Sequence, residues 1–102
     1  MASDILIVED ERMLAGTIVR TLEREGYSCR KALDGVSALN AIREAAPALI
    51  VLDLLLPKKD GRFVLRELLA SEDWKDIPVI AMSGVFRGRS HARELHEAGA
   101  GA

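Results

Sequence analysis

Short apolar runs alternate along this chain with stretches whose apolar residues recur every three or four positions. The first run, Ile5-Leu6-Ile7-Val8, reads as a buried strand and ends in Glu9-Asp10-Glu11. Asp10 then stands where a helix N-cap belongs, ahead of Leu14, Ile18 and Leu22, with Ala15 and Val19 beside them. Gly26 stops that helix, and Tyr27 to Leu33 is predicted as a weaker strand. Asp34-Gly35 turns the chain into a second helix with Val36, Leu39 and Ile42 facing inward, ending before Pro47. Ala48 to Asp53 is the most apolar strand. The loop that follows, Leu54 to Gly61, carries Pro57 and Asp60-Gly61 as turn signals. Phe63, Val64, Leu65, Leu68 and Leu69 predict a third helix, and Ile77 to Met82 a fourth strand with Pro78 near its start. Ser90 to Ala98 is predicted as a fourth helix, with Gly99 as its stop.

Strand and helix thus alternate throughout, and the strands are uniformly apolar. That combination predicts an α/β domain, a parallel sheet covered by helices on both faces. Right-handed crossovers restrict the topology further. Ligands on such sheets bind beyond the C-terminal ends of the strands, where the strand order reverses. Glu9, Asp10, Asp53 and Ser83 all lie at such ends.

Composition changes this picture in only a few respects. A chain of 102 residues is one domain, 49% apolar but only 4% aromatic, so its core is aliphatic. A net charge of -2 gives no general reason to bind nucleic acid or an anionic membrane. Cys29 is the only cysteine, which excludes an intramolecular disulfide and reads as buried filler in a reducing compartment. No apolar run approaches the ~20 residues of a membrane span, and strand-like residues and acids begin at once, without a signal peptide. The expectation is a cytoplasmic domain. Its small-residue tail, Ala98-Gly99-Ala100-Gly101-Ala102, stops where a fifth strand is expected.

The most informative position is Asp53, a carboxylate closing the run Ile50-Val51-Leu52. Desolvating a charge among aliphatic side chains is costly, so something must compensate it. Clustered carboxylates repel one another unless they are protonated, paired or bound to a cation. An oxygen-rich acidic site suits magnesium, and a carboxylate beside it can act as a nucleophile toward phosphorus, forming an acyl phosphate. Taken singly, each residue also has a plainer reading. Glu9 or Asp10 can cap a helix or stay solvated, and Ser83 can be a turn residue. Trp74 reads as a loop anchor against a helix. His91 and His96 are five apart and do not share a helix face as metal ligands would. Arg87, Arg89 and Arg93 form a small basic patch, open to a solvated or a docking role.

Taken together these segments resemble the receiver domain of bacterial two-component response regulators. The resemblance rests on Ile5-Leu6-Ile7-Val8-Glu9-Asp10-Glu11, the Ala32-Leu33-Asp34-Gly35 turn, Leu52-Asp53-Leu54-Leu55-Leu56-Pro57 with Asp60-Gly61, and Pro78-Val79-Ile80-Ala81-Met82-Ser83-Gly84. It implies a flavodoxin-like doubly wound sheet of strand order 2-1-3-4, with the family's fifth strand and fifth helix missing from a single domain at 1–102. It implies that Asp53 is phosphorylated by a histidine kinase or a phosphotransfer protein, and that phosphorylation switches partner binding. Asp10 and Asp53 would bind magnesium directly with the Leu55 backbone carbonyl, Glu9 mainly through water. Ser83 matches the hydroxyl residue that contacts the phosphoryl group and couples it to the surface. No residue matches the family's lysine or switch aromatic. Lys58 and Lys59 lie elsewhere, in the loop after Asp53.

The resemblance implies a signalling switch rather than an enzyme, with at most self-catalysed phosphotransfer and slow autodephosphorylation. Leu55 and Val85, each two residues beyond a site residue, are apolar and would hinder the hydrolytic water. The competing function is a truncated receiver that associates without phosphorylation, as a homodimer through an exposed fourth-strand edge or by domain swapping. A phosphatase of the haloacid-dehalogenase type is disfavoured, because Leu55 stands where a second acid is needed. Nucleotide-binding glycine loops are lacking after the first strand.

Overall fold

A computed structural model describes residues 4–54, 56 and 61–82. The described chain runs β1 (Asp4–Val8), α1 (Arg12–Arg24), β2 (Ser28–Ala32), α2 (Gly35–Glu44), β3 (Leu49–Asp53), α3 (Gly61–Ala70) and β4 (Val79–Met82). All neighbouring strands pair parallel, in the order β2-β1-β3-β4. This is the flavodoxin-like order expected for the described part. The chain moves from β1 outward to β2, then crosses back to place β3 on the other side of β1. The switch point therefore lies between β1 and β3.

Alternation along the strands sorts the core into two layers. Leu6, Val8, Ile50, Leu52, Val79 and Ala81 pack with Ala38, Leu39 and Ile42 of α2 and Val64, Leu65 and Leu68 of α3. Ile5, Ile7 and Val51 turn the other way and pack with Ala15, Ile18, Val19 and Leu22 of α1. Every one of Leu6, Ile7, Val8, Ile50 and Leu52 is fully buried, which is why β1 and β3 read as unbroken apolar runs. Burying one such aliphatic side chain contributes about 1.5–3 kcal/mol, so this central pair anchors the fold.

Several expectations need correction. Glu11, not Asp10, caps α1: its Oε1 accepts from Met13 N–H at 3.0 Å and its Oε2 from Leu14 N–H at 2.8 Å. The longer side chain reaches the open amides from one residue further along, which leaves the Asp10 carboxylate outside the cap. At the expected Asp34-Gly35 turn, Asp34 caps α2, accepting from Ser37 N–H at 2.7 Å. Val36 does not face inward but is half exposed. The buried stripe of α2 is Gly35, Ala38, Leu39 and Ile42, and Val36 lies about 100° around the helix from Gly35. Leu69 is likewise half exposed, just off the stripe of Val64, Leu65 and Leu68. The second strand begins at Ser28 rather than Tyr27, and the fourth at Val79 rather than Ile77. Pro78 precedes β4 and offers only its carbonyl, which accepts from Ile50 N–H at 3.0 Å.

Gly26 ends α1 with φ at 96°, the left-handed conformation that a helix stop of this kind requires. Trp74 is partly buried against the α2–α3 core, consistent with a loop anchor. Cys29 packs in the α1 layer, and burial, followed by the charges of Glu23 and Asp4, pushes its thiol upward. A raised thiol disfavours the reactive thiolate and fits the reading of Cys29 as filler. The expected helix at 90–98, His91, His96, Arg87, Arg89 and Arg93 lie outside the described residues. Among the described residues no helix is long and apolar enough to cross a membrane.

Candidate functional site

Register brings the acids together. Val8 of β1 pairs with Leu52 of β3, and each is followed by a carboxylate, so Glu9 and Asp53 emerge side by side at the switch point. Asp10 joins them because Glu11 has taken over the cap. One carboxylate oxygen from each of Glu9, Asp10 and Asp53 lies within 4.8 Å of the other two. Glu9 is 2% and Asp53 5% exposed, whereas Asp10 opens to solvent. The cluster is therefore an acid-walled socket with two buried sides and one exposed one.

Glu9 carries the clearest electrostatic signature. Its main-chain N–H donates to the Ala32 carbonyl at 3.0 Å, which locks the end of β1 against β2. Its Oε2 accepts from Glu11 N–H at 3.0 Å, but its Oε1 is buried with no partner among the described residues. Burial pushes the Glu9 carboxyl up to about 7 from an ordinary 4.5. The Glu11 N–H opposes that rise, while the charge on Asp53 and the proximity of Asp10 reinforce it. A buried acceptor oxygen without a donor, facing two more carboxylates, is the environment a hard cation relieves. The residues present fit such an ion.

A cationic notch lies between α1 and β2. Arg12, in the first turn of α1, and Lys31, near the end of β2, line a cleft of about 270 Å³ with Ala15 and Leu33. An arginine at the positive end of a helix dipole runs against local preference, and the first turn of α1 contains no acid. Sequence reading missed this pair. Arg12 and Lys31 are nineteen residues apart, and only the α1–β2 packing brings them together.

Of the sequence-predicted site residues, Glu9, Asp10 and Asp53 converge. Ser83 and Leu55 lie outside the described residues, as do Lys58, Lys59 and Val85.

Comparison with known proteins agrees with this geometry. The family model of the response regulator receiver domain matches residues 5–102. The chain belongs to the response regulator receiver family. It is 37% identical over 83 residues to the response regulator MprA of Mycobacterium bovis, a match covering 81% of this chain and 35% of that protein. The chain thus spans about a third of the length of the curated relatives it matches. Among solved structures it is similar to the signal receiver domain of a signal transduction histidine kinase from Syntrophus aciditrophicus, with a TM-score of 0.83 and 32% identity, covering 97% of this chain and 74% of that one. It is also similar to NtrX from Brucella abortus, with a TM-score of 0.83 and 35% identity, covering 98% of this chain and 22% of that one. The receiver is a signalling domain of two-component systems rather than an enzyme in the ordinary sense.

Proposed function

We propose that this receiver takes a phosphoryl group on Asp53 from a histidine kinase or a phosphotransfer protein, and that the phosphorylated form binds partners differently. The observation that carries the reading is the clustering of buried Asp53 with Glu9 and Asp10, together with the partnerless Glu9 Oε1. Three carboxylates gathered at the switch point, two of them buried, form the kind of site that a hard cation and a phosphoryl group occupy.

In the transfer, a carboxylate oxygen of Asp53 attacks the phosphorus of a donor phosphohistidine. The new O–P bond forms as the N–P bond breaks, and the electron pair leaves on the imidazole nitrogen. Glu9, Asp10 and Asp53 would hold magnesium, with the Leu55 carbonyl as the further ligand implied by family resemblance. When bound, the ion neutralises the clustered carboxylates and the charge on the phosphoryl oxygens. The chain's own part is to hold Asp53 at the rim of the sheet and to keep water from its buried side. Arg12 and Lys31 add positive charge to the cleft between α1 and β2, which favours the approach of an anionic donor to this domain. Ser83 is the proposed phosphoryl contact and switch residue, and apolar Leu55 and Val85 are expected to slow autodephosphorylation.

The test is incubation with magnesium and acetyl phosphate, followed by peptide mapping in a mass spectrometer. One phosphoryl group on Asp53, absent in Asp53→Asn, is the expected result. Beryllofluoride should shift amide resonances around Glu9, Asp10 and Asp53 under the same conditions. A folded protein that responds to neither reagent would favour the competing reading, association without phosphorylation. That reading draws on β4, the last strand of the described sheet, where Ile80 is half exposed. Sedimentation of the unphosphorylated protein would then show a dimer.

A further inference from the structure

The β3–α3 connection closes on itself directly beside Asp53. Gly61 N–H donates to the Leu54 carbonyl at 3.0 Å, so the two ends of the loop meet. Gly61 is also the buried first residue of α3. A Cβ at this position would overlap the Asp53 carbonyl oxygen and the Leu54 Cα, and would lie 2.8 Å from the Asp53 carbonyl carbon. These are main-chain atoms with no rotamer to yield, so any side chain must displace α3 or the end of β3.

The end of β3 has little room to move elsewhere. Leu54 N–H donates to the Met82 carbonyl at 2.6 Å, and Asp53 pairs in register with Met82. β4 therefore holds this segment from one side while α3 presses on it from another. The Asp53 carboxylate, in turn, belongs to a cluster whose oxygens lie within 4.8 Å of one another. A displacement of about 1 Å in a reacting group can cost on the order of a hundredfold in rate.

We propose that Gly61 is a positioning residue for the acceptor. Its lack of a Cβ lets the first turn of α3 rest on the main chain of Asp53 and Leu54, and that contact sets where the Asp53 carboxylate stands relative to Glu9 and Asp10. The inference rests on the reading of Asp53 as the phosphoacceptor.

Gly26 supplies the control. It is constrained by its φ of 96°, yet a Cβ there would meet nothing within 4 Å, and it lies at the opposite end of the sheet. Gly26→Ala therefore strains the backbone without touching the site. Magnesium affinity is measured by amide-spectrum titration, and Asp53 phosphorylation from acetyl phosphate at saturating magnesium by mass spectrometry. Both are expressed per mole of folded protein, in wild type, Gly61→Ala and Gly26→Ala. Gly61→Ala is expected to weaken magnesium binding and to slow phosphorylation by at least about tenfold each. Gly26→Ala is expected to lower the melting temperature while changing both readouts by less than about twofold, as for an independent site.

Equal changes in the two variants, or no change in Gly61→Ala, would overturn the inference. Should Gly61→Ala fail to fold, the wild-type titration decides. By reciprocity of coupling, magnesium should then shift the Gly61 and Leu54 amides with the midpoint shown by Asp53, leaving the Gly26 amide in place. A Gly61 amide that stays put overturns the inference. A wild-type protein that takes up neither magnesium nor a phosphoryl group overturns the acceptor reading on which it stands.

Discussion

The two ends of β1 treat their acids in opposite ways. At the N-terminal end, Asp4 meets Arg30 of β2 at 2.6 Å, and the same guanidinium donates to the Ala41 and Ala45 carbonyls at the C-terminus of α2. One cation there balances a carboxylate and satisfies helix-end carbonyls that would otherwise lack donors. At the C-terminal end, Glu9 meets Asp10 and Asp53, and one of its oxygens is buried without a donor. One end pairs its acid with a cation, and the other gathers three carboxylates within 4.8 Å of one another. The first arrangement serves folding. The second costs stability in the isolated domain, a cost that a bound cation would relieve on the proposed function.

The contrast is broken most directly by exchanging the two aspartates' roles. Asp53→Asn should abolish phosphoryl uptake from acetyl phosphate, while Asp4→Asn should leave the rate per folded molecule unchanged. Loss of uptake in both variants would mean that the ends are not independent.

The next effect is pH dependence. The Glu9 carboxyl is raised from 4.5 to about 7 in the folded protein, so between those values the folded state holds a proton that the unfolded state has released. Stability without magnesium should therefore be greatest below pH 4.5, as far as Glu9 contributes, and fall as pH rises toward 7. The contribution is at most about 3–4 kcal/mol, from about 1.4 kcal/mol per pKa unit. Urea unfolding across this range should show the decline in wild type and lose it in Glu9→Gln. Saturating magnesium should flatten it, because the ion binds the deprotonated carboxylates, and magnesium affinity should rise over the same interval.

A smaller effect is expected at the paired end. Arg30→Met should cost about 1–2 kcal/mol, because the ion pair is about a third exposed but the helix-end hydrogen bonds are lost with it. Magnesium affinity should not change. The smallest effect separates two neighbouring acids. Glu11→Ala should lose about 1 kcal/mol of stability with its cap, whereas Asp10→Ala should not destabilise the magnesium-free protein but should weaken magnesium binding. The reverse pattern in urea unfolding and magnesium titration would restore Asp10 as the cap.

Most of the frame was legible in the pattern of side chains. Ile5 to Val8 and Ile50 to Leu52 could be read as buried strands because both of their faces are covered, which leaves a run with no polar interruptions. Asp53 stood out against that run for the same reason. Element ends and helix faces were less legible. Val36 looked inward on apolarity alone, but one step along a helix turns a side chain by about 100° and carries it out of the core. Asp10 looked like the cap because it is the better capping residue type, yet Glu11 was one position closer to the amides. Arg30 carried no visible signal: its three partners, Asp4, Ala41 and Ala45, come from two other elements.

The sequence by itself determined the alternation of strand and helix, the two-sided burial of the central strands and the identity of the acids at their ends. These follow from local periodicity and from the cost of burying charge, both of which are written residue by residue. Only the tertiary structure decided which acid caps a helix and which one faces the socket, that burial raises the Glu9 carboxyl to about 7, and that Arg12 and Lys31 line one cleft. It alone showed that α3 rests on the main chain of Asp53 through a missing Cβ at Gly61. Such features depend on distances between segments far apart in the chain, set by strand register and helix packing rather than by any residue's own preference.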